Sequence, residues 1–195
     1  MKELLTTPEA RPAEPRRRER ERKRRLCIVV ALLFLLCAVG VATARLFVWP
    51  PQGMPAHVDA IVMLNGPGDR LDTALELAWE HRASTIVISR GSTYWGHGSV
   101  CAPPIPRIKV ICFDPSPSTT RGEAEFAGRL AKRYGWHSMV VVAITPQDTP
   151  ARLRVGRCFS GKIYFVNGRL RPVAWPALVA YEWGATIKAL LQRGC

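Results

Sequence analysis

The segment at residues 58–70 constrains the fold of this chain more than any other. Its first half, VDAIVML, is apolar and rich in β-branched residues, which is typical of a strand buried on both faces. The turn Asn65-Gly66-Pro67-Gly68 ends the strand, and a helical pattern begins at Arg70. Strand, glycine-rich turn and helix in this order predict a doubly wound α/β domain, whose ligands bind at the carboxyl ends of the strands.

Further strands and helices alternate along the rest of the chain. Apolar segments predict strands at residues 85–89, 108–113, 139–144 and 163–166. Helical patterns cover residues 70–82, 120–134, 150–158 and 175–191. This alternation predicts a Rossmann-like, doubly wound fold with a mainly parallel sheet that is covered on both faces.

A long apolar segment lies before the α/β domain. Residues 26–44 carry no charged side chain, and the arginine-rich residues 16–25 lie directly before them. A run of this length can span a bilayer, and the positive-inside rule then places the N-terminus in the cytoplasm. We therefore predict four parts: a basic, disordered cytoplasmic tail (1–25), a transmembrane helix (26–48), a linker (49–56) and an extracytoplasmic α/β domain (57–195).

A cleaved signal peptide is the alternative to this anchor. Ala42-Thr43-Ala44 has the small-residue pattern of a cleavage site, and cleavage after Ala44 would release a secreted domain. The apolar run is longer than the usual signal-peptide core, so the sequence favours a single-pass protein of the cell membrane.

The chain is strongly basic, with 28 Lys and Arg against 15 Asp and Glu and a formal net charge of +13. Such a charge suits nucleic acid or anionic lipid head groups. Because the domain is expected outside the cytoplasm, we predict membrane lipid as a partner and no nucleic acid.

The four cysteines of the outer domain form an even set in an oxidising compartment, which favours two disulfides over buried free thiols. Three pairings of Cys101, Cys112, Cys158 and Cys195 are open. The local choice is Cys101 with Cys112, which leaves Cys158 for Cys195.

An ordered set of short motifs resembles a known family. It comprises Asp59-Ala60-Ile61-Val62, the Gly66 and Gly68 turn, Arg70-Leu71-Asp72-Thr73-Ala74, Ser89-Arg90-Gly91, Thr120-Arg121-Gly122-Glu123-Ala124, Thr145 and Arg152. This set is similar to the bacterial YdcF, SanA and ElyC group. The resemblance implies a Rossmann-like fold and, for some members, a part in envelope or peptidoglycan-precursor integrity.

The chain departs from that family at one position. Members often carry a Tyr-His pair shortly after the threonine matched by Thr145, where this chain has Pro146-Gln147-Asp148. If the histidine does acid–base or phosphate work in relatives, this chain lacks the activity or uses another group. Asp148 is the nearest ionisable substitute.

The candidate site lies at the carboxyl edge of the sheet. Glycine turns and helix starts can present N–H groups to a phosphate, and arginines can bind its charge. The same residues could have purely structural roles instead. The glycines would then form an ordinary tight turn, Thr119 or Thr120 would cap the N-terminus of the helix, and Glu123 would complete a capping box. The predicted ligand-binding residues are Asn65, Gly66, Gly68, Arg70, Ser89, Gly91, Thr119, Thr120, Arg121, Thr145 and Arg152.

Asp69 and Glu123 are the candidates for a catalytic base at this edge, or for ligands of a divalent metal. The four histidines lack metal-ligand spacing, the Walker lysine is absent, and no G-x-S-x-G occurs. We therefore expect a domain that binds a phosphorylated envelope metabolite, such as a lipid-linked or peptidoglycan-precursor phosphate, and that could transfer or hydrolyse the phosphate. Two alternatives remain: a non-enzymatic envelope-integrity or regulatory protein, and a protein that binds a nucleotide-like cofactor such as S-adenosylmethionine.

Overall fold

A computed structural model describes residues 14–90, 101 and 106–195 of the chain. It divides into two compact units, Met1–Ala42 and Thr43–Cys195. Helix α1 spans Glu14–Thr43, and a π-helical turn at Ala44–Val48 follows it. Within the described residues, one helix, in Arg18–Val48, is long and apolar enough to cross a membrane. A membrane anchor and a signal sequence both meet that criterion.

The basic N-terminal segment is helical from Glu14 onward, whereas the sequence predicted disorder as far as residue 25. Glutamates lie among its arginines and lysines, and Glu19 and Lys23 form an ion pair one turn apart at 2.7 Å. Such pairs support an exposed helix, and the apolar segment that follows continues it without a break.

The second unit is an α/β domain with a five-stranded parallel sheet. The strands are β1 (Val58–Met63), β2 (Ala83–Ser89), β3 (Lys109–Phe113), β4 (Ser138–Ile144) and β5 (Lys162–Gly168). Their order is β3-β2-β1-β4-β5, and every neighbouring pair is parallel. The predicted strands are therefore confirmed, and the strand order reverses between β1 and β4, where open α/β sheets bind their ligands.

The helices cover both faces of this sheet. They are α2 (Arg70–Trp79), α3 (Thr120–Tyr134), α4 (Thr145–Cys158) and α5 (Trp175–Leu191). On one face, α2 buries Leu71, Ala74 and Ala78 against the sheet. On the other, α3 and α4 bury a second cluster that includes Ala127 and Val155, and α5 packs on α4.

Helix α4 begins at Thr145, directly after β4, rather than at the predicted Pro150. Pro146 lies in its first turn, where proline has no N–H bond to lose and its fixed φ suits a helix. The earlier start brings Gln147 and Asp148 onto the helix.

Both predicted disulfides are confirmed. Cys101 is bonded to Cys112 on β3, with Cα atoms 6.1 Å apart. Cys158, at the end of α4, is bonded to Cys195, with Cα atoms 4.9 Å apart. The second bond links α4 to the segment that follows α5.

Candidate functional site

A cavity of about 620 Å³ lies at the carboxyl edge of the sheet, where the strand order reverses. Its walls come from the turn after β1, the start of α3, the first half of α4 and one side of α5. The polar or charged side chains that line it are Asn65, Arg70, Ser118, Thr119, Thr120, Arg121, Glu123, Gln147, Arg154, Tyr181, Glu182, Lys188 and Gln192.

The turn after β1 needs its two glycines. Gly66 has a φ of +137°, and a Cβ there would lie 2.9 Å from Nη2 of Arg70. Gly68 has a φ of +94°, and a Cβ there would lie 2.7 Å from the Arg169 carbonyl oxygen. Side chains rarely adopt these backbone angles, so the turn keeps its shape only with glycine.

Arg70 is the first residue of α2, and its fully buried side chain folds back over the turn. Its Nη1 donates to the carbonyl oxygens of Leu64 and Asn65, at 3.1 and 2.6 Å, and its Nε donates to that of Pro67 at 3.0 Å. Nη1 also donates to Oε1 of Gln147 at 2.8 Å. Arg70 therefore holds the turn in place while it lines the cavity.

Glu123 is 3 % exposed and joins α3 to the same turn. The Asn65 amide donates to its Oε1 at 2.6 Å. Burial raises the pKa of Glu123, opposed by the Ser89 hydroxyl, the Asn65 amide and the positive charge of Arg70. The predicted capping box was wrong, because the Glu123 carboxylate is used by the turn rather than by the backbone of its own helix.

The start of α3 forms a second wall. Thr119 is the N-cap residue, and its Oγ1 accepts from the Gly122 amide at 3.5 Å. The hydroxyl of Thr120 accepts from Nε2 of Gln147 at 3.2 Å, and Nε of Arg121 donates to Oε1 of Glu125 at 2.7 Å. Gln147 thus bridges α2 and α3.

Helix α5 supplies a wall that the sequence did not predict. Glu182 is 5 % exposed, and burial raises its pKa to about 7 although the charge of Arg70 opposes the rise. Lys188, on the same helix, also lines the cavity. The sequence signal is that Glu182 is the lone acidic residue of a mostly apolar helix; nothing in the sequence indicated what it faces.

Arg154 on α4 is a further unpredicted member of the site. It is 6 % exposed and donates to the backbone oxygen and to Oε1 of Gln192, at 3.1 and 3.0 Å. Burial lowers its pKa, and the positive charges of Arg157 and Arg121 lower it further. Arg154 is therefore a cation in the cavity wall whose charged form is disfavoured by burial and by neighbouring positive charges.

Two predicted site residues lie away from the cavity lining and have protein partners. Asp69 is the N-cap of α2, and its Oδ1 accepts from the Arg169 amide. Arg152 pairs with Asp148, donates to the Pro51 carbonyl and lies over the Phe165 ring at 4.1 Å. The guanidinium of Arg152 thus binds protein groups on the side of α4 that does not line the cavity.

Three other predicted residues also lie outside the lining. Gly68 shapes the turn, Ser89 is buried behind Glu123, and Thr145 is the first residue of α4. Gly91 lies outside the described residues. The structure thus brings together Asn65, Gly66, Arg70, Thr119, Thr120, Arg121 and Glu123 of the predicted set.

Asp148, the suggested substitute for the missing histidine, is fully buried next to Arg152. Burial raises its pKa, while Arg152 and the side chain of Asn167, which donates at 2.9 Å, lower it. Asp148 is not among the residues that line the cavity.

The cavity can therefore offer an anion four cationic side chains, one from each of the four helices α2 to α5, namely Arg70, Arg121, Arg154 and Lys188. It also contains two buried carboxyl groups and the hydroxyls at the start of α3. Among the described residues, no group of three or more His, Cys, Asp or Glu side chains is placed to hold a metal ion.

Comparison of the chain with protein-family models, with curated proteins and with solved structures gives no match, so the resemblance to the YdcF, SanA and ElyC group rests on the motifs alone.

Proposed function

We propose that this chain is a single-pass envelope membrane protein whose Rossmann-like domain binds the phosphate of a phosphorylated envelope metabolite in the cavity. The observation that carries the proposal is the set of four cationic side chains around one cavity at the switch point of a parallel sheet. Charge-assisted hydrogen bonds from arginine suit phosphate oxygens, and ligands of such sheets bind at this edge.

The apolar helix and the disulfides support the envelope location. Residues 16–25 are rich in arginine and precede the apolar run, which favours a cytoplasmic N-terminus. Disulfides persist outside the reducing cytoplasm, and both bonds belong to the α/β domain. Cleavage after Ala44 would leave the same domain secreted.

A lipid-linked pyrophosphate is the ligand class that we favour. Pyrophosphate carries several negative charges, and a cavity with four cations and two carboxyl groups has an excess of positive charge to attract them, which a neutral sugar would not use. About 620 Å³ also falls within the range of small-molecule sites and leaves room for a group attached to the pyrophosphate.

Phosphate transfer or hydrolysis would use the carboxyl groups of the cavity. Glu182 has a pKa of about 7, so it can both hold and release a proton near neutral pH, as a general acid or base must. Glu123 is more deeply tied to the Asn65 amide, and Asp69 lies outside the cavity lining. Glu182 is therefore the stronger candidate for proton transfer.

A non-enzymatic binding protein is the second candidate. It is favoured because both carboxylates that the sequence predicted as catalytic bases bind backbone amides of the protein. Asp69 accepts from the Arg169 amide, and Glu123 accepts from the Asn65 amide. A protein of this kind would bind the phosphorylated metabolite and pass the signal on without turnover.

Calorimetric titration of inorganic pyrophosphate into the full chain in detergent tests the binding proposal. Removing one charge-assisted contact with Arg121→Ala should weaken binding roughly ten- to a hundredfold. Arg129→Ala, an exposed arginine on the same helix but outside the cavity lining, is the matched control and should leave binding unchanged. Equal affinities in the two variants, or no binding by the wild-type chain, would refute the proposal.

Phosphate release from a lipid pyrophosphate separates the enzyme from the binding protein. If the chain is an enzyme, Glu182→Gln should stop release while pyrophosphate still binds. If the wild-type chain binds but releases no phosphate, the second candidate is correct.

A further inference from the structure

The outward face of α5 is apolar over its whole length. Small residues at positions 177, 180 and 184 follow one another at helical spacing on this face. The stripe continues through Ile187 and Leu191, which are 53 % and 79 % exposed, with Leu190 and Tyr181 beside it. The charged residues of the helix are Glu182, which is buried, and Lys188. An apolar face of this extent, rimmed by polar residues, is typical of an interaction surface.

The opposite side of the same helix lines the cavity. Leu178, Glu182, Ala185 and Lys188 contribute to the cavity wall, each about one turn from the next, and Tyr181 lies between this side and the outward face and lines the cavity as well. Helix α5 alone therefore separates the proposed phosphate site from the surroundings of its outward face.

The position of α5 in the folded unit identifies its neighbour. Nε1 of Trp183 donates to Oγ1 of Thr43 at 3.2 Å, and the Trp183 ring lies 5.1 Å from the buried Phe47 ring. Thr43 and Phe47 belong to the last residues of the candidate membrane span, Arg18–Val48. Helix α5 therefore packs directly against the point at which the chain would leave a bilayer.

The surroundings of this point have the composition of a membrane interface. Trp49 is 72 % exposed and Tyr181 is 70 % exposed, and amphipathic aromatic rings concentrate at the level of the head groups. Four basic side chains near the ends of α5 and of the span are exposed: Arg45, Arg171, Lys188 and Arg193. An apolar stripe with basic residues around it binds bilayers that contain anionic lipid.

From this geometry we infer that the outward face of α5 lies in the interfacial layer of the bilayer that holds the span, with anionic lipid as its partner. The inference rests on the membrane-anchored part of the proposed function and not on phosphate binding. Because the other side of α5 lines the cavity, a phosphate carried on a lipid would reach the site at the membrane surface without leaving its own leaflet.

Nitroxide accessibility in the full chain tests the inference. Cys27 and Cys37 are changed to serine, single cysteines are introduced by Ile187→Cys and Leu191→Cys, and Lys132→Cys serves as the control. Lys132 is exposed near the end of α3, at the opposite edge of the sheet from the cavity. The labelled chains are reconstituted into vesicles of phosphatidylethanolamine and phosphatidylglycerol, after peptide mapping has verified both native disulfides.

The two labels on α5 should collide several-fold more with oxygen, which concentrates in lipid, than with a water-soluble nickel chelate, relative to the label at position 132. The same collision ratio at all three positions would overturn the inference. Dipolar broadening between labels at position 187, persisting in detergent, would show that a second copy of the chain covers the face, and would also overturn it.

Failure of this inference differs from failure of the proposed function. In an Ile187→Ser, Leu191→Ser variant, inorganic pyrophosphate should bind as in the wild type, because neither residue lines the cavity. A lipid-linked pyrophosphate in vesicles should bind more weakly. Wild-type affinity for the lipid-linked pyrophosphate in this variant would overturn the role of the outward face, while no binding of inorganic pyrophosphate by the wild-type chain would overturn the proposed function instead.

Discussion

Two clusters with a buried charge lie on opposite sides of the first turns of α4. The inner cluster consists of Arg70, Glu123 and Gln147, and the outer cluster of Asp148, Arg152 and Asn167. Arg70 and Asp148 are both fully buried, and Gln147 and Asp148 are adjacent in the sequence. Only the inner cluster borders the cavity.

The difference shows that a buried charge does not by itself mark a binding site. In the outer cluster both charged groups have protein partners: Asp148 binds Arg152 and Asn167, and the Arg152 guanidinium lies over the Phe165 ring. In the inner cluster similar groups hold a turn, and an open volume lies beside them. The following predictions separate a cluster that stabilises the fold from one that also serves a ligand.

The largest expected effect is on stability at the inner cluster. Arg70→Met removes the buried cation, leaves the carbonyl oxygens of the turn without a donor and leaves Glu123 without its counter-charge, so the free energy of unfolding should fall by about 3–5 kcal/mol. Arg152→Met should cost less, because the side chain of Arg152 is 32 % exposed and Asp148 keeps its bond to Asn167. Urea unfolding of the full chain in detergent measures the free energy of unfolding of both variants. Equal decreases in the two variants would show that the two clusters do not differ in this way.

The second effect is a pH dependence at the cavity. The pKa of Glu182 is raised from 4.5 to about 7 in the folded protein, so the folded state holds a proton that the unfolded state has released. This stabilisation is complete below pH 4.5 and is lost as the pH rises through 7, a change of about 3 kcal/mol at most. Glu182→Gln should make the decline in thermal stability between pH 4.5 and 8 smaller, and the raised pKa values of Glu123 and Asp148 account for the part that is left, whereas Glu76→Gln, on the exposed side of α2, should leave the decline unchanged. An unchanged decline in Glu182→Gln would refute the assignment.

The smallest effect compares two amides, one from each cluster. Gln147→Ala removes the bridge between Arg70 and Thr120, and Asn167→Ala removes a donor to Asp148. Each should lower the free energy of unfolding by about 1 kcal/mol per lost hydrogen bond. Pyrophosphate affinity should fall only in Gln147→Ala, because Gln147 lines the cavity and Asn167 does not. A loss of affinity in both variants would remove the distinction between the clusters.

The strand pattern and the glycine turn could be predicted from the sequence because each depends on local chemistry, whereas the disulfides were predicted from an even number of cysteines in an oxidising compartment. Buried parallel strands are apolar along their whole length, and glycine is needed where φ is positive, as at Gly66 and Gly68. The rule that ligands bind at the carboxyl edge also predicted the position of the turn and of the Thr119 and Thr120 helix start in the cavity wall.

The rest of the site depends on which side of each helix faces the cavity. The rule that ligands bind at the carboxyl ends of the strands does not predict this. Arg152 and Arg154 are two residues apart on α4, so they face different sides of the helix. The sequence does not show how α4 is rotated about its axis, and so it does not show which of the two arginines faces the cavity. Glu182 lies on a helix that packs on α4 rather than on a strand end. Asp69 is adjacent to the turn, but its carboxylate binds the Arg169 amide.

Pyrophosphate binding by two variants of α4 tests the central claim most directly. Arg154→Gln changes a cation in the cavity wall, and Arg152→Gln changes one in the outer cluster, on the same helix and with the same loss of charge. Calorimetry on the full chain should show roughly ten- to a hundredfold weaker binding for Arg154→Gln and wild-type affinity for Arg152→Gln. Wild-type affinity in Arg154→Gln together with a loss in Arg152→Gln would contradict the account, because the anion would then bind at the outer cluster and not in the cavity.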